Sequence, residues 1–174
     1  MIKEKIIYEL DAGNKAFASF IASLSEKDFL FTANNKWSAG QQAEHILRSV
    51  KPVNFAFNLP VFLLKTFFGK ANRPSRSYAA LVQRYHEKLA EGGKASGRFI
   101  PPYVAYSQKE SICNSIISVT ESLCKKAEKY SDKELDNYIL PHPLMGKLTL
   151  REMLYFSRYH TEHHRIKIVA LLQL

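Results

Sequence analysis

The chain reads as all-α, a four-helix bundle with a short helical segment inserted between the second and third long helices. Three observations carry that reading. Apolar residues recur at spacings of three and four through most of the chain, several of these runs open on a Ser/Thr-x-x-Gln/Glu start, and no stretch alternates convincingly as a half-buried strand would. With 174 residues, 46% of them apolar, the chain has enough material for one core and fits a single domain over residues 1–174.

The first helix follows from Ile6, Leu10, Gly13, Phe17, Phe20 and Leu24, a narrow seam of alternating four- and three-residue steps. The second opens at Ser38-Ala39-Gly40-Gln41, a capping box in which the Ser hydroxyl and the Gln side chain each satisfy a free backbone donor. It carries His45, and Ile46, Leu47, Val50, Val53 and Phe57 continue its apolar face. Pro52 is expected to kink or interrupt it, because proline cannot donate the i to i−4 bond.

Residues 55–68 are strongly apolar but too short and too broken by Pro60 and Lys65 to span a bilayer. They are expected to form a core or lid segment at one end of the bundle; a subunit contact in a homodimer and a membrane-surface role are the alternatives. Residues 69–77 read as a loop. A third helical stretch places Tyr78, Leu81, Val82, Tyr85 and Leu89 on one face and ends at Gly92-Gly93. After a further loop containing Pro101-Pro102, Ser107-Gln108-Lys109-Glu110 reads as a capping box for a long helix with Ile112, Ile116, Val119, Leu123 and Ala127 inward. Residues 131–147 read as an ordered loop, and Thr149-Leu150-Arg151-Glu152 caps the last helix.

The net charge of +9 is concentrated: between Lys65 and Arg98 eight basic residues face only Glu87 and Glu91. No helix-turn-helix, zinc-finger or RNA-binding aromatic signature accompanies this charge, so a solvated basic surface is expected and no specific nucleic-acid partner. Cys113 and Cys124 lie eleven residues apart in one helix, ~16 Å at 1.5 Å per residue, too far for a bridge; they are expected to be reduced core thiols. With no secretory signal at Met1-Ile2-Lys3-Glu4-Lys5, the expected location is the cytoplasm.

The last helix carries the chemistry. His160 and His164 lie in one apolar stripe with Leu150, Met153, Leu154, Ser157, Ile168, Leu171 and Leu172. A neutral imidazole removed from water without a partner costs ~1–3 kcal/mol. Two at i and i+4 on one face can share a divalent cation at ~2.0–2.1 Å. A third ligand has to come from another helix, and His45 is the best candidate in a capped helix near an apolar stripe. Core histidines hydrogen-bonded to Tyr or backbone are the alternative. His142, just before the last helix, is placed to line the mouth of a site, whereas His163 is rotated toward a neighbouring helix or solvent. Glu44 and Glu162 sit beside these histidines, each turned ~100° away from the ligand direction.

Two blocks carry a family resemblance. Trp37-Ser38-Ala39-Gly40-Gln41-Gln42-Ala43-Glu44-His45-Ile46-Leu47 resembles the opening of the second helix in the DinB/YfiT-like superfamily of four-helix-bundle metalloproteins. Pro143-Leu144-Met145-Gly146-Lys147-Leu148-Thr149-Leu150-Arg151-Glu152-Met153-Leu154, followed by His160 and His163-His164, resembles its C-terminal motif. The resemblance implies that His45, His160 and His164 bind one divalent metal ion, nickel, zinc, iron or manganese. It further implies an enzyme acting on a small molecule, either a transferase dependent on a low-molecular-weight thiol or a hydrolase; a noncatalytic, stress-related metal-binding or scaffold protein is the alternative. Gln41, His142 and His163 are the expected residues of the pocket or of the layer behind the ligands.

Overall fold

A computed structural model describes residues 1–174. Four long helices, α1 (Lys3–Ser23), α3 (Ala39–Ala56), α6 (Lys109–Ala127) and α8 (Leu150–Leu172), form the bundle. α1 and α3 each pack on both α6 and α8, which closes the ring around the core. A short helix α2 (Glu26–Leu30), capped by Ser25, lies between the first two.

The inner face of α1 is Ile6, Leu10, Asn14, Phe17, Ala18 and Ile21, whereas Gly13 is exposed and Phe20 only half-buried. The helical period of 3.6 drifts away from the strict four-three seam and places Asn14 in the core. Its amide is paired on both sides: Nδ2 donates to the Leu10 carbonyl at 3.0 Å, and Oδ1 accepts from Thr161 Oγ1 at 2.8 Å. A fully hydrogen-bonded polar pair of this kind joins α1 to α8 in a defined register.

The Ser38–Gln41 capping box opens α3 as expected. Pro52 does not interrupt the helix, which runs on to Ala56 with Val53 and Ala56 buried; packing against α6 holds the turn despite the missing N–H.

The insertion between α3 and α6 holds two helices, α4 (Val61–Phe68) and α5 (Tyr78–Ala90), where the sequence suggested one short segment. The expectation of a core or lid for residues 55–68 holds for part of the segment: Ala56, Phe57 and Leu64 are buried and Leu59, Val61 and Phe68 pack against the core, whereas Phe55, Phe62 and Phe67 are 66–67% exposed. Eight residues give two turns, enough to anchor one side chain but not to bury apolar residues on every side.

Ser107 does not cap α6. Gln108 instead accepts from the Ala105 N–H at 2.9 Å, closing a 3-10 turn at Tyr106–Gln108 that leads into the helix. The region expected as a loop before the last helix contains helix α7 (Asp132–Asn137) and an antiparallel hairpin of β1 (Ile139–His142) and β2 (Gly146–Thr149). Four-residue strands are too short to show an alternation, and Pro141 is tolerated because the hairpin has only two strands.

α8 opens on the Thr149–Glu152 capping box, and Glu152 is fully buried. Its carboxylate accepts both arms of the Arg73 guanidinium at 2.7 and 2.8 Å, and the Arg76 backbone N–H at 2.7 Å. Ser75 bonds Asp136 and Thr149 in the same knot. This network pins the loop before α5 to the start of α8, so that α5 lies along the helix that carries the histidine pair. Cys113 and Cys124 are free and buried. No helix is long and apolar enough to cross a membrane.

Candidate metal centre

His45, on α3, meets His160 and His164, one turn apart on α8, and all three are buried. The His160 Nε2 lies 3.2 Å from His45 Nε2 and 3.1 Å from His164 Nε2. All three candidate ligand atoms fall within 4.8 Å of one another.

The outer nitrogens fix the tautomers. His45 Nδ1 is 2.6 Å from the Phe99 carbonyl, an acceptor, so Nδ1 carries the proton and Nε2 presents a lone pair. His164 Nδ1 is 2.9 Å from Gln42 Oε1. The Gln42 amide is itself oriented by its Nε2, which donates to the Trp37 carbonyl at 3.2 Å. Its oxygen therefore faces His164, and His164 Nε2 is also left as a lone pair.

Two lone pairs thus converge on His160, which has at most one Nε2 proton to offer them. A cation answers all three. Nitrogens bound at ~2.0–2.1 Å to one ion stand about 2.9–3.4 Å apart for angles between 90° and tetrahedral, and the two observed separations lie in that range. The donor set fits a first-row divalent ion.

Burial sets the charge state of the three imidazoles. It lowers His45 despite the opposing Phe99 carbonyl, and holds His160 and His164 well below the usual histidine range, with neighbouring histidines and Lys167 adding to the effect. Neutral imidazole is the form that binds a metal. Aromatic rings fix the orientations: Phe156 stacks on His160 at 4.7 Å and Trp37 on His164 at 6.4 Å.

The site opens into a cavity of about 940 Å³ lined by residues that include Trp37, Tyr85, Phe99, Ile100, Leu144 and Phe156. His142 lines it as expected; its Nδ1 accepts the N–H groups of Leu144 and Met145 at 3.1 Å each, and burial lowers its pKa to about 4. His163 faces α5, against Tyr85 at 5.3 Å, and does not line the cavity; its Nε2 is buried without a partner, and burial lowers its pKa to about 4. Gln41 is spent on the helix cap and lies outside the cavity, so the glutamine behind the ligands is Gln42. Gln42 sits three residues before His45, on the same helical face, a spacing that was visible in the sequence. The Phe99 carbonyl left no such signal, being a backbone atom of a nonperiodic loop. Glu44 and Glu162 pair with Arg48 and Arg165 and stay clear of the cavity.

Fold and site together define a class, a helical bundle in which three buried histidines from two helices offer nitrogens to one point at the base of a cavity. The chain belongs to the DinB superfamily, whose family model matches residues 9–168. No curated protein matches it.

Proposed function

We propose that the chain is a metal-dependent enzyme in which His45, His160 and His164 hold one divalent ion and a small molecule reacts in the adjoining cavity. The observation that carries the reading is the convergence of oriented imidazole lone pairs at the floor of an open chamber. A bound ion would supply Lewis acidity there, lowering the pKa of a coordinated water or thiol. The protein's own groups do the rest: Gln42 and the Phe99 carbonyl keep the Nδ1 protons in place, and Trp37 and Phe156 hold the rings. Tyr85 keeps its phenolic proton because burial raises its pKa, and so remains a hydrogen-bond donor.

The cavity lining contains no Asp or Glu to serve as a general base. That composition favours a reaction in which a low-molecular-weight thiol attacks an electrophile over carboxylate-assisted hydrolysis. A structural role for the three histidines accounts for their burial but not for the cavity that opens on them.

The test is turnover by protein loaded separately with nickel, zinc, iron or manganese. A panel of thiol-transfer and ester or amide hydrolysis assays should give activity that a chelator abolishes and one of these ions restores. Activity that survives complete metal removal would contradict the reading, as would a panel with no turnover under any metal.

A further inference from the structure

Four of the 28 residues lining the cavity are cationic, Lys36, Lys94, Arg98 and Lys167, and none is acidic. None of the four has a carboxylate partner, whereas Arg48, Lys88 and Arg165 nearby each have one. The charge of the chamber lining is therefore positive, with no carboxylate in it to offset the four cations.

Two of the cations are tied by chain position to the histidines. Arg98 precedes Phe99, whose carbonyl orients His45, within the 3-10 turn Gly97–Phe99. Lys167 follows His164 by three residues on α8 and so shares its face. Lys167 lines the same cavity as His45, His160 and His164. Apolar side chains supply much of the remaining wall, Ile100, Leu144, Met153, Phe156 and Leu171 among them.

We propose that Arg98 and Lys167 form an anion-binding subsite in the metal cavity, and that the small molecule taken up there carries an anionic head group on an apolar body. The subsite rests on the proposed function only in sharing its cavity. A guanidinium and an ammonium without carboxylate partners offer charge-assisted hydrogen bonds to a carboxylate, and the apolar walls take the remainder of the molecule. Lys36 and Lys94 add to the field that draws an anion in.

The test is calorimetric titration of the purified, metal-loaded protein with octanoate and with octanamide, its neutral isostere, at two salt concentrations. Octanoate should bind at least about tenfold more tightly, with a margin that shrinks as salt rises. The double variant Arg98→Gln/Lys167→Met should keep its metal content and lose the preference to within about twofold; if it melts early, each single variant should lose at least about threefold. Equal binding of the two probes by the wild type, or no binding of octanoate at millimolar concentration, would overturn the subsite. So would a preference that survives in the double variant, since the anion would then sit on the metal. Elemental analysis of the same samples separates the two claims. A wild type without metal that still prefers octanoate, and loses the preference in the double variant, supports the subsite and contradicts the metal reading.

Discussion

Gln42 accepts the Nδ1–H of His164 at 2.9 Å while donating its own amide to the Trp37 carbonyl, so one glutamine joins the start of α3 to a histidine 122 residues later. The bond fixes which nitrogen of His164 faces the centre.

Removing that bond should weaken the site without unfolding the bundle. Gln42→Leu is expected to lower metal affinity about 10- to 100-fold, the usual loss when a partner behind a metal-ligating histidine is removed. Competition with a chromophoric chelator measures it. An affinity within twofold of the wild type would mean that the Gln42 bond does not orient His164.

The Glu152 knot makes a stability prediction with a defined sign. Burial pushes the Glu152 carboxyl up, but the Arg73 side chain and the N–H groups of Arg76 and Thr149 outweigh it and hold its pKa below the ordinary 4.5. A carboxylate depressed on folding contributes stability that is complete above its unfolded value and fades as pH falls through the folded one. Glu152→Gln should therefore cost about 1.5–3 kcal/mol at neutral pH, the range for a hydrogen bond to a charged group. Below about pH 4.5 its stability should fall less steeply with acid than that of the wild type. Urea denaturation from pH 7 to pH 3.5 checks this, and parallel curves would contradict it.

The exposed aromatic residues of α4 predict an asymmetry within eight residues. Phe62→Ser should change stability by no more than about 0.5 kcal/mol, as surface substitutions do, whereas Leu64→Ala should cost about 2–4 kcal/mol through a core cavity. Thermal melting of the two variants decides, and a Phe62 variant as damaged as the Leu64 one would show that Phe62 too is packed in the core.

Neither cysteine should react in the native state. Burial raises the Cys113 thiol and pushes Cys124 up to about 12, leaving little thiolate at neutral pH. A chromogenic disulfide reagent should modify neither in buffer and both in denaturant; fast labelling of native protein would show that one is accessible.

The long elements were legible in the sequence because each is announced by a period, joined in α3 and α8 by the caps Ser38–Gln41 and Thr149–Glu152. The histidines were legible for a related reason: His160 and His164 share a helical face, and His45 lies in a capped helix beside an apolar one. What stayed hidden depends on contacts distant in the chain. The apolar composition of α4 does not say which of its residues find a core, and Phe62 and Leu64 look alike until the bundle is assembled. Strands as short as β1 and β2 carry no measurable period. Gln41 drew attention as a capping residue, and its neighbour Gln42 holds His164. Arg73 and Arg76 read as solvated charge because their partner, Glu152, lies more than 70 residues away.

The central claim is that His45, His160 and His164 together hold one ion, and metal content measures it most directly. After exposure to divalent metal and exhaustive dialysis, the wild type should retain about one ion per chain, and His160→Ala, with two nitrogens left, should retain almost none while keeping its helical circular dichroism. Equal and negligible metal in both proteins, or equal stoichiometric metal in both, would contradict the account.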